Sequence, residues 1–189
     1  MNVREESWRV WSDAVAAGVR GVPDSTLAHA AELLGSSSIV LTAGNGGSHA
    51  LATHAAQALL KPSYAAGGGR QTVCLTDSIS ALSAHANDGG WAGALEELAR
   101  PFIEMAPRTG PHRAMLWLFS SSGKSENLVR VARLATAAGL RLIAFTGFDG
   151  EPLRSMATIS VHVDSRDYEV VEPVHDALLH RVQYHLRVR

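Results

Sequence analysis

Glu172, Asp176 and His180 stand four residues apart in the stretch VEPVHDALLH. On a helix this spacing lays them along one slowly rotating face. A Glu and a His two turns apart can ligate a metal or work as an acid–base pair, and the same pattern also suits a solvated face of i,i+4 ion pairs. His175 falls three residues from Glu172, on a neighbouring face. His54 adds an imidazole further upstream, either as a ligand or as a hydrogen-bonded histidine. His29, His85, His112, His162 and His185 belong to no such constellation.

Three loops carry the rest. Gly44-Asn45-Gly46-Gly47-Ser48 would let backbone N–H groups approach an anion at a helix start, or would simply make a tight turn. It is not a dinucleotide fingerprint, because the third glycine would have to stand at His49. Ser120-Ser121-Ser122-Gly123-Lys124-Ser125 offers four hydroxyls and a run of N–H groups, a phosphate cradle or a capping turn with exposed serines. Its Gly-Lys-Ser end resembles a nucleotide P-loop, but that motif needs a glycine at Leu118. A phosphate on a small molecule therefore fits better than a nucleoside triphosphate. Asn87-Asp88-Gly89-Gly90 is the third loop, and alone it reads as an Asx turn.

These loops need elements to hold them. Trp8, Trp11, Val15 and Val19 share a helical face over 5–19, and Pro23-Asp24-Ser25 opens a second helix near 25–35. Short apolar runs predict strands at Ser38–Ala43, Thr72–Thr76, Met115–Phe119, Arg141–Thr146 and Ile159–Val163. Helical stretches lie between them: to about Leu60, to about Met105 with a turn at Asp88–Gly90, over Glu126–Ala138, from Pro152, and from Glu169 to Leu186. Gly67-Gly68-Gly69 is a flexible break, and 107–112 is loop. Apolar strands alternating with amphipathic helices predict an α/β fold, a five-stranded parallel sheet covered on both faces. Ligands of such sheets bind beyond the carboxyl ends of the strands. That places the chemistry after Ala43, Thr76, Phe119 and Thr146.

With 189 residues the chain suits one domain, and area scaling has about 70% of its surface buried on folding. Hydrophobic residues make up 46% and charged residues 19%, which argues against disorder. A net charge of −1 gives no global electrostatic reason to bind nucleic acid or an anionic membrane. The single cysteine, Cys74, excludes an internal disulfide framework and suits a reducing compartment. No apolar run approaches a membrane span, so a soluble cytoplasmic protein is expected.

Taken in order and after these strands, GNGGS, TDSISALSAHANDGG, SSSGKS and VEPVHDALLH resemble a SIS (sugar isomerase) domain. Within that superfamily the chain resembles the phosphoheptose isomerases, over about Ser36 to Leu186. The resemblance implies a flavodoxin-like three-layer α/β/α sandwich at 36–189 as a single folding unit, an N-terminal helical extension at 1–35, and a homotetramer. It implies isomerisation of a ketose phosphate and an aldose phosphate, sedoheptulose 7-phosphate and a heptose 7-phosphate, through an enediol. It further implies that Ser120, Ser121, Ser122 and Ser125 hold the phosphate, that Asn45, Gly46 and Gly47 line the substrate, and that Asn87 and Asp88 contact its hydroxyls. His54, Glu172 and His180 match zinc positions, and Glu172 also a substrate-binding one. Moving a carbonyl between C2 and C1 needs a base and an acid: without metal Glu172 would be the base and His180 the acid, and with metal Glu172 would serve as both ligand and base. One departure stands out. The helix after the glycine loop usually carries an acid four residues beyond the histidine, and here that residue is Ala58. Ala58 favours a second reading, a non-catalytic sugar-phosphate or partner-binding regulator. A module acting on a hexose or octose phosphate is a third.

Overall fold

The computed structural model describes residues 3–61, 70–105, 114–188. The expected break at 67–69 and loop at 107–112 lie outside them. Helices α1 (Val3–Gly21) and α2 (Asp24–Gly35) lead into β1 (Ile39–Gly44) and α3 (Gly47–Leu60). Then come β2 (Gln71–Cys74), a 3₁₀ turn (Leu75–Asp77), α4 (Ile79–Gly89), α5 (Trp91–Met105) and β3 (Ala114–Ser120). The chain closes with α6 (Glu126–Ala137), β4 (Arg141–Thr146), α7 (Leu153–Met156), β5 (Ile159–His162) and α8 (Tyr168–Arg187). The second strand is shorter than its apolar run: β2 stops at Cys74, paired with Thr42, and Leu75–Asp77 coil into the 3₁₀ turn.

All strand pairs are parallel, in the order β2-β1-β3-β4-β5. The strands bury both faces, and alternate residues feed two cores. Val40, Met115, Trp117, Phe119, Ile143 and Phe145 face α2, α3 and α8. Leu41, Ala43, Leu116, Leu118, Leu142 and Ala144 face α5 and α6. Trp117, Phe119 and Phe145 form an aromatic cluster with centroids 5.0–5.7 Å apart. Because α2 sends Leu27, Ala30 and Leu34 into the same core as the sheet, it is built into the sandwich. Asp24 at its start accepts two hydrogen bonds from the Arg181 guanidinium, at 2.7 and 3.0 Å, which ties α2 to α8. On α1, Trp11 packs against the core and donates to the Glu169 carbonyl at 3.0 Å, whereas Trp8 stays exposed.

The apolar stripe of α8, Val171, Val174, Leu178, Leu179 and Val182, is buried against the sheet. His175 shares that burial. Its Nε2–H donates to the Thr146 carbonyl at 3.1 Å, and its ring stands edge-on to Phe145. Desolvation lowers its pKa to about 4, so at neutral pH it is an uncharged clamp between α8 and β4. A base with a depressed folded-state pKa contributes stability that is fully present above its ordinary value of 6.5 and is lost as pH falls toward the folded value. The unfolding midpoint is therefore expected to drop between about pH 6.5 and 4, and His175→Leu is expected to flatten that limb in a pH series of urea denaturations.

Candidate active site

The strand order reverses direction between β1 and β3, and the loops leaving these two strands diverge there. They enclose a cavity of about 290 Å³ lined by Asn45, Gly46, Gly47 and Ser48 from the first loop. Ser120, Ser121, Ser122 and Ser125 come from the second, and Phe119, Leu128, Tyr168 and Glu172 complete the wall.

The serine loop turns at Gly123, which has a φ of 72°. A Cβ there would overlap the Gly150 carbonyl, so only glycine lets this turn lie against the loop that follows β4. Ser120 Oγ accepts from the Gly123 N–H at 3.2 Å. Ser125 caps α6 without a side-chain cap hydrogen bond, which leaves its hydroxyl at the helix N-terminus for a ligand. Ser121 Oγ is buried without a hydrogen-bond partner among the described residues. Such a hydroxyl costs about 1–3 kcal/mol until something bonds it. Lys124 is not in the wall. It pairs with Asp149 at 2.7 Å on the surface, and this pairing lowers the Asp149 pKa.

The opposite wall is the first turn of α8. Asp167 caps it by accepting from the Glu169 N–H at 2.9 Å. Glu172 reaches the glycine loop so closely that a Cβ on Gly47 would overlap its carboxylate. Desolvation, and then the charge of Glu169, raise the Glu172 pKa. A carboxylate whose pKa is raised in a cavity wall suits proton exchange.

Asn127, behind the wall, and Tyr168 and Ser48, in it, were not among the expected site residues. Asn127, buried in the first turn of α6, exchanges two amide hydrogen bonds with Asn45, at 2.9 and 3.0 Å. Asn45 is thereby held by its partner amide, and the glycine loop is tied to the start of α6. The only hint in the sequence was a polar residue at a position that α6 would otherwise fill with an apolar one. Tyr168 lines the mouth, with its ring 4.6 Å from Phe148, a residue at φ 55°. No spacing rule connects those two aromatics across the β4 and α8 loops. Ser48, buried in the wall, directly follows the glycines but was read only as part of the turn.

Other expected members stand elsewhere in the chain. His180 lies eight residues beyond Glu172, about 12 Å along the helix. Since α8 runs away from the carboxyl ends of the strands, His180 is not in the cavity wall. Glu172 and His180 therefore stand apart in the chain, and only Glu172 lines the cavity. Instead His180 meets His54 of α3, with ring centroids 4.9 Å apart. Asp176 joins them, its Oδ1 3.2 Å from His54 Nδ1. The donor atoms of His54, Asp176 and His180 all lie within 4.8 Å of one another. Asp176, not Glu172, is the third member of the metal-capable group on this seam, because the helix turn points Glu172 at the glycine loop. Asn87 and Asp88 end α4 as exposed residues outside the cavity wall. Ala58 is buried, so no acid faces His54 from its own helix. Among the described residues no helix is long and apolar enough to cross a membrane.

Residues 23–147 match the SIS domain family. A phosphoheptose isomerase of Burkholderia pseudomallei is 33% identical over 170 residues, covering 90% of this chain and 81% of the relative. The phosphoheptose isomerase of Haemophilus ducreyi is 31% identical over 148 residues, covering 75% and 69%. The lincomycin biosynthesis protein LmbN of Streptomyces lincolnensis is 37% identical over 145 residues, 73% of this chain, but the match spans half of that longer protein. Among solved structures, the phosphoheptose isomerase GmhA of Neisseria gonorrhoeae superposes with a TM-score of 0.84 at 24% identity, covering all of both chains. That likeness speaks for the fold. The sequence identities speak for descent, and by them the chain belongs to the phosphoheptose isomerase family of SIS domain proteins.

Proposed function

We propose that the protein is an aldose–ketose isomerase of sugar phosphates, with sedoheptulose 7-phosphate and D-glycero-manno-heptose 7-phosphate as its substrate pair. One observation carries the reading: a single cavity has a serine loop with one buried, unpartnered hydroxyl, Ser121, on one wall and the carboxylate of Glu172, its pKa raised by desolvation, on the other. The serines and the α6 N-terminus hold the phosphate and anchor the sugar. Glu172 takes the proton from C1 of the ketose, leaving an enediolate; the O1 proton passes to O2, and Glu172, its proton exchanged with solvent, protonates C2 as the C1 carbonyl of the aldose forms. Asn45, held by Asn127, and the N–H groups of Gly46 and Gly47 in the cavity wall orient the substrate oxygens in this reading.

The family resemblance implies zinc. Two imidazole nitrogens and one carboxylate oxygen within 4.8 Å fit it, and His54, Asp176 and His180 would hold it. Bound there, the ion would supply Lewis-acid polarisation of an oxygen ligand. The roles of Asn87 and Asp88 toward substrate hydroxyls, and assembly into a homotetramer, belong to the same reading. It is supported by exposed apolar side chains on α1, α4 and α5, Trp8, Ile79 and Trp91. So does a cytoplasmic location, which suits a chain with one unpaired cysteine.

The test is a proton NMR time course in D₂O with sedoheptulose 7-phosphate, with and without added zinc. Appearance of an aldose signal with deuterium at C2 is the expected result. Ala58 favours a second reading, a sugar-phosphate binder without turnover. Saturable binding of the ketose with no deuterium exchange, also across a panel of hexose and octose phosphates, would replace the first reading by the second.

A further inference from the structure

We propose that His49, Cys74 and Asp77 form a second metal site, apart from the His54 group, that takes a zinc-class divalent cation. It lies where the first turn of α3 passes the end of β2. The nitrogen, sulfur and oxygen donors all lie within 4.8 Å of one another.

The surrounding hydrogen bonds suit a ligand shell. His49 Nδ1 is held by Thr76 Oγ1 at 2.8 Å, which leaves Nε2 as the ligating nitrogen. Nε2 and Asp77 Oδ1 stand 3.5 Å apart. That exceeds a good N–H···O bond and is close to the edge of a tetrahedron whose donors sit about 2.0–2.1 Å from zinc. Asp77 Oδ1 is oriented by the Thr53 hydroxyl, which donates to it at 2.7 Å. With His49 Nδ1–H on Thr76 Oγ1, the Thr76 proton is free to point at Cys74 Sγ, 3.4 Å away. That contact fixes the sulfur on the side facing His49 and Asp77.

Soft sulfur beside imidazole and carboxylate selects zinc over magnesium or calcium, and three protein ligands leave one position for water. Binding releases the thiol proton to solvent as the sulfur–metal bond forms. The ion would tie β2 to the first turn of α3, next to the cavity-lining Gly46, Gly47 and Ser48. The proposal does not depend on the isomerase reading.

Cys74 is the chain's single cysteine, so any thiolate–metal absorption reports this site alone. The experiment titrates metal-free full-length protein with Co(II) and records the near-ultraviolet sulfur-to-cobalt charge-transfer band. A saturable band is expected, displaced by zinc and retained in the His54→Ala, His180→Ala double variant. It should be lost in Cys74→Ser and weakened at least about 10-fold in affinity in Asp77→Asn and in His49→Gln, the low end for losing a ligand or its support. Circular dichroism verifies that each variant is folded. No band at saturating Co(II) in folded wild-type protein would overturn the site. So would a band whose affinity is unmoved by both Asp77→Asn and His49→Gln, since the thiol would then be binding cobalt alone.

Discussion

Glu172→Gln is expected to lower kcat at least about 100-fold, the low end for removing an acid–base group, while KM for the sugar phosphate changes little. The amide is isosteric and keeps the contact with the glycine loop, but it cannot carry the carbon proton. The variant should also be more stable near neutral pH. Desolvation and Glu169 raise the folded-state pKa of Glu172 above its ordinary 4.5, so the native state binds this proton more tightly than the unfolded chain does. The resulting contribution is fully present below pH 4.5 and is lost as pH rises through the folded value. At neutral pH the ionised carboxylate is therefore a cost that glutamine removes. Thermal melts of wild type and variant should diverge near pH 7 and converge below pH 4.5. A kcat within a factor of a few of wild type would take the proton-transfer role away from Glu172.

Gly123→Ala is expected to cost about 2–4 kcal/mol of stability and most of the affinity for phosphate. The left-handed backbone alone costs an L-residue roughly 1–2 kcal/mol. The added methyl would also meet the backbone of Gly150, which has no flexible end to move aside. Relief requires the serine loop to separate from the β4–α7 loop, and the Gly147 N–H bond to the Ser121 carbonyl, 2.7 Å, spans the same junction. Urea denaturation and a titration with inorganic phosphate read the two effects. An unchanged midpoint with unchanged phosphate binding would mean that the turn tolerates another geometry.

The sheet was legible because its signal is local. Buried parallel strands must be short apolar runs, and SIVLTA, MLWLF and RLIAFT each announce one without knowledge of their neighbours. The glycine and serine loops were legible for the same reason, since turn and anion-cradle chemistry is written in consecutive residues. Asn127 was not, because its meaning is its reciprocal bond with Asn45, 82 positions away. Cys74 lay within an apolar strand run and pointed only to the absence of a disulfide framework, until the fold set His49 and Asp77 beside it.

The helical face of Glu172, Asp176 and His180 marks the division most clearly. Its existence followed from a period of four in the chain. Which member met which partner did not, because helix rise separates residues that a helical wheel superimposes. The carboxyl ends of the strands keep Glu172 in the cavity, and the descent of α8 along α3 delivers Asp176 and His180 to His54. Periodicity and turn chemistry are properties of neighbouring residues and need only the sequence. The depth of a side chain along a packed helix depends on where the next element lies, and only the folded chain decides that.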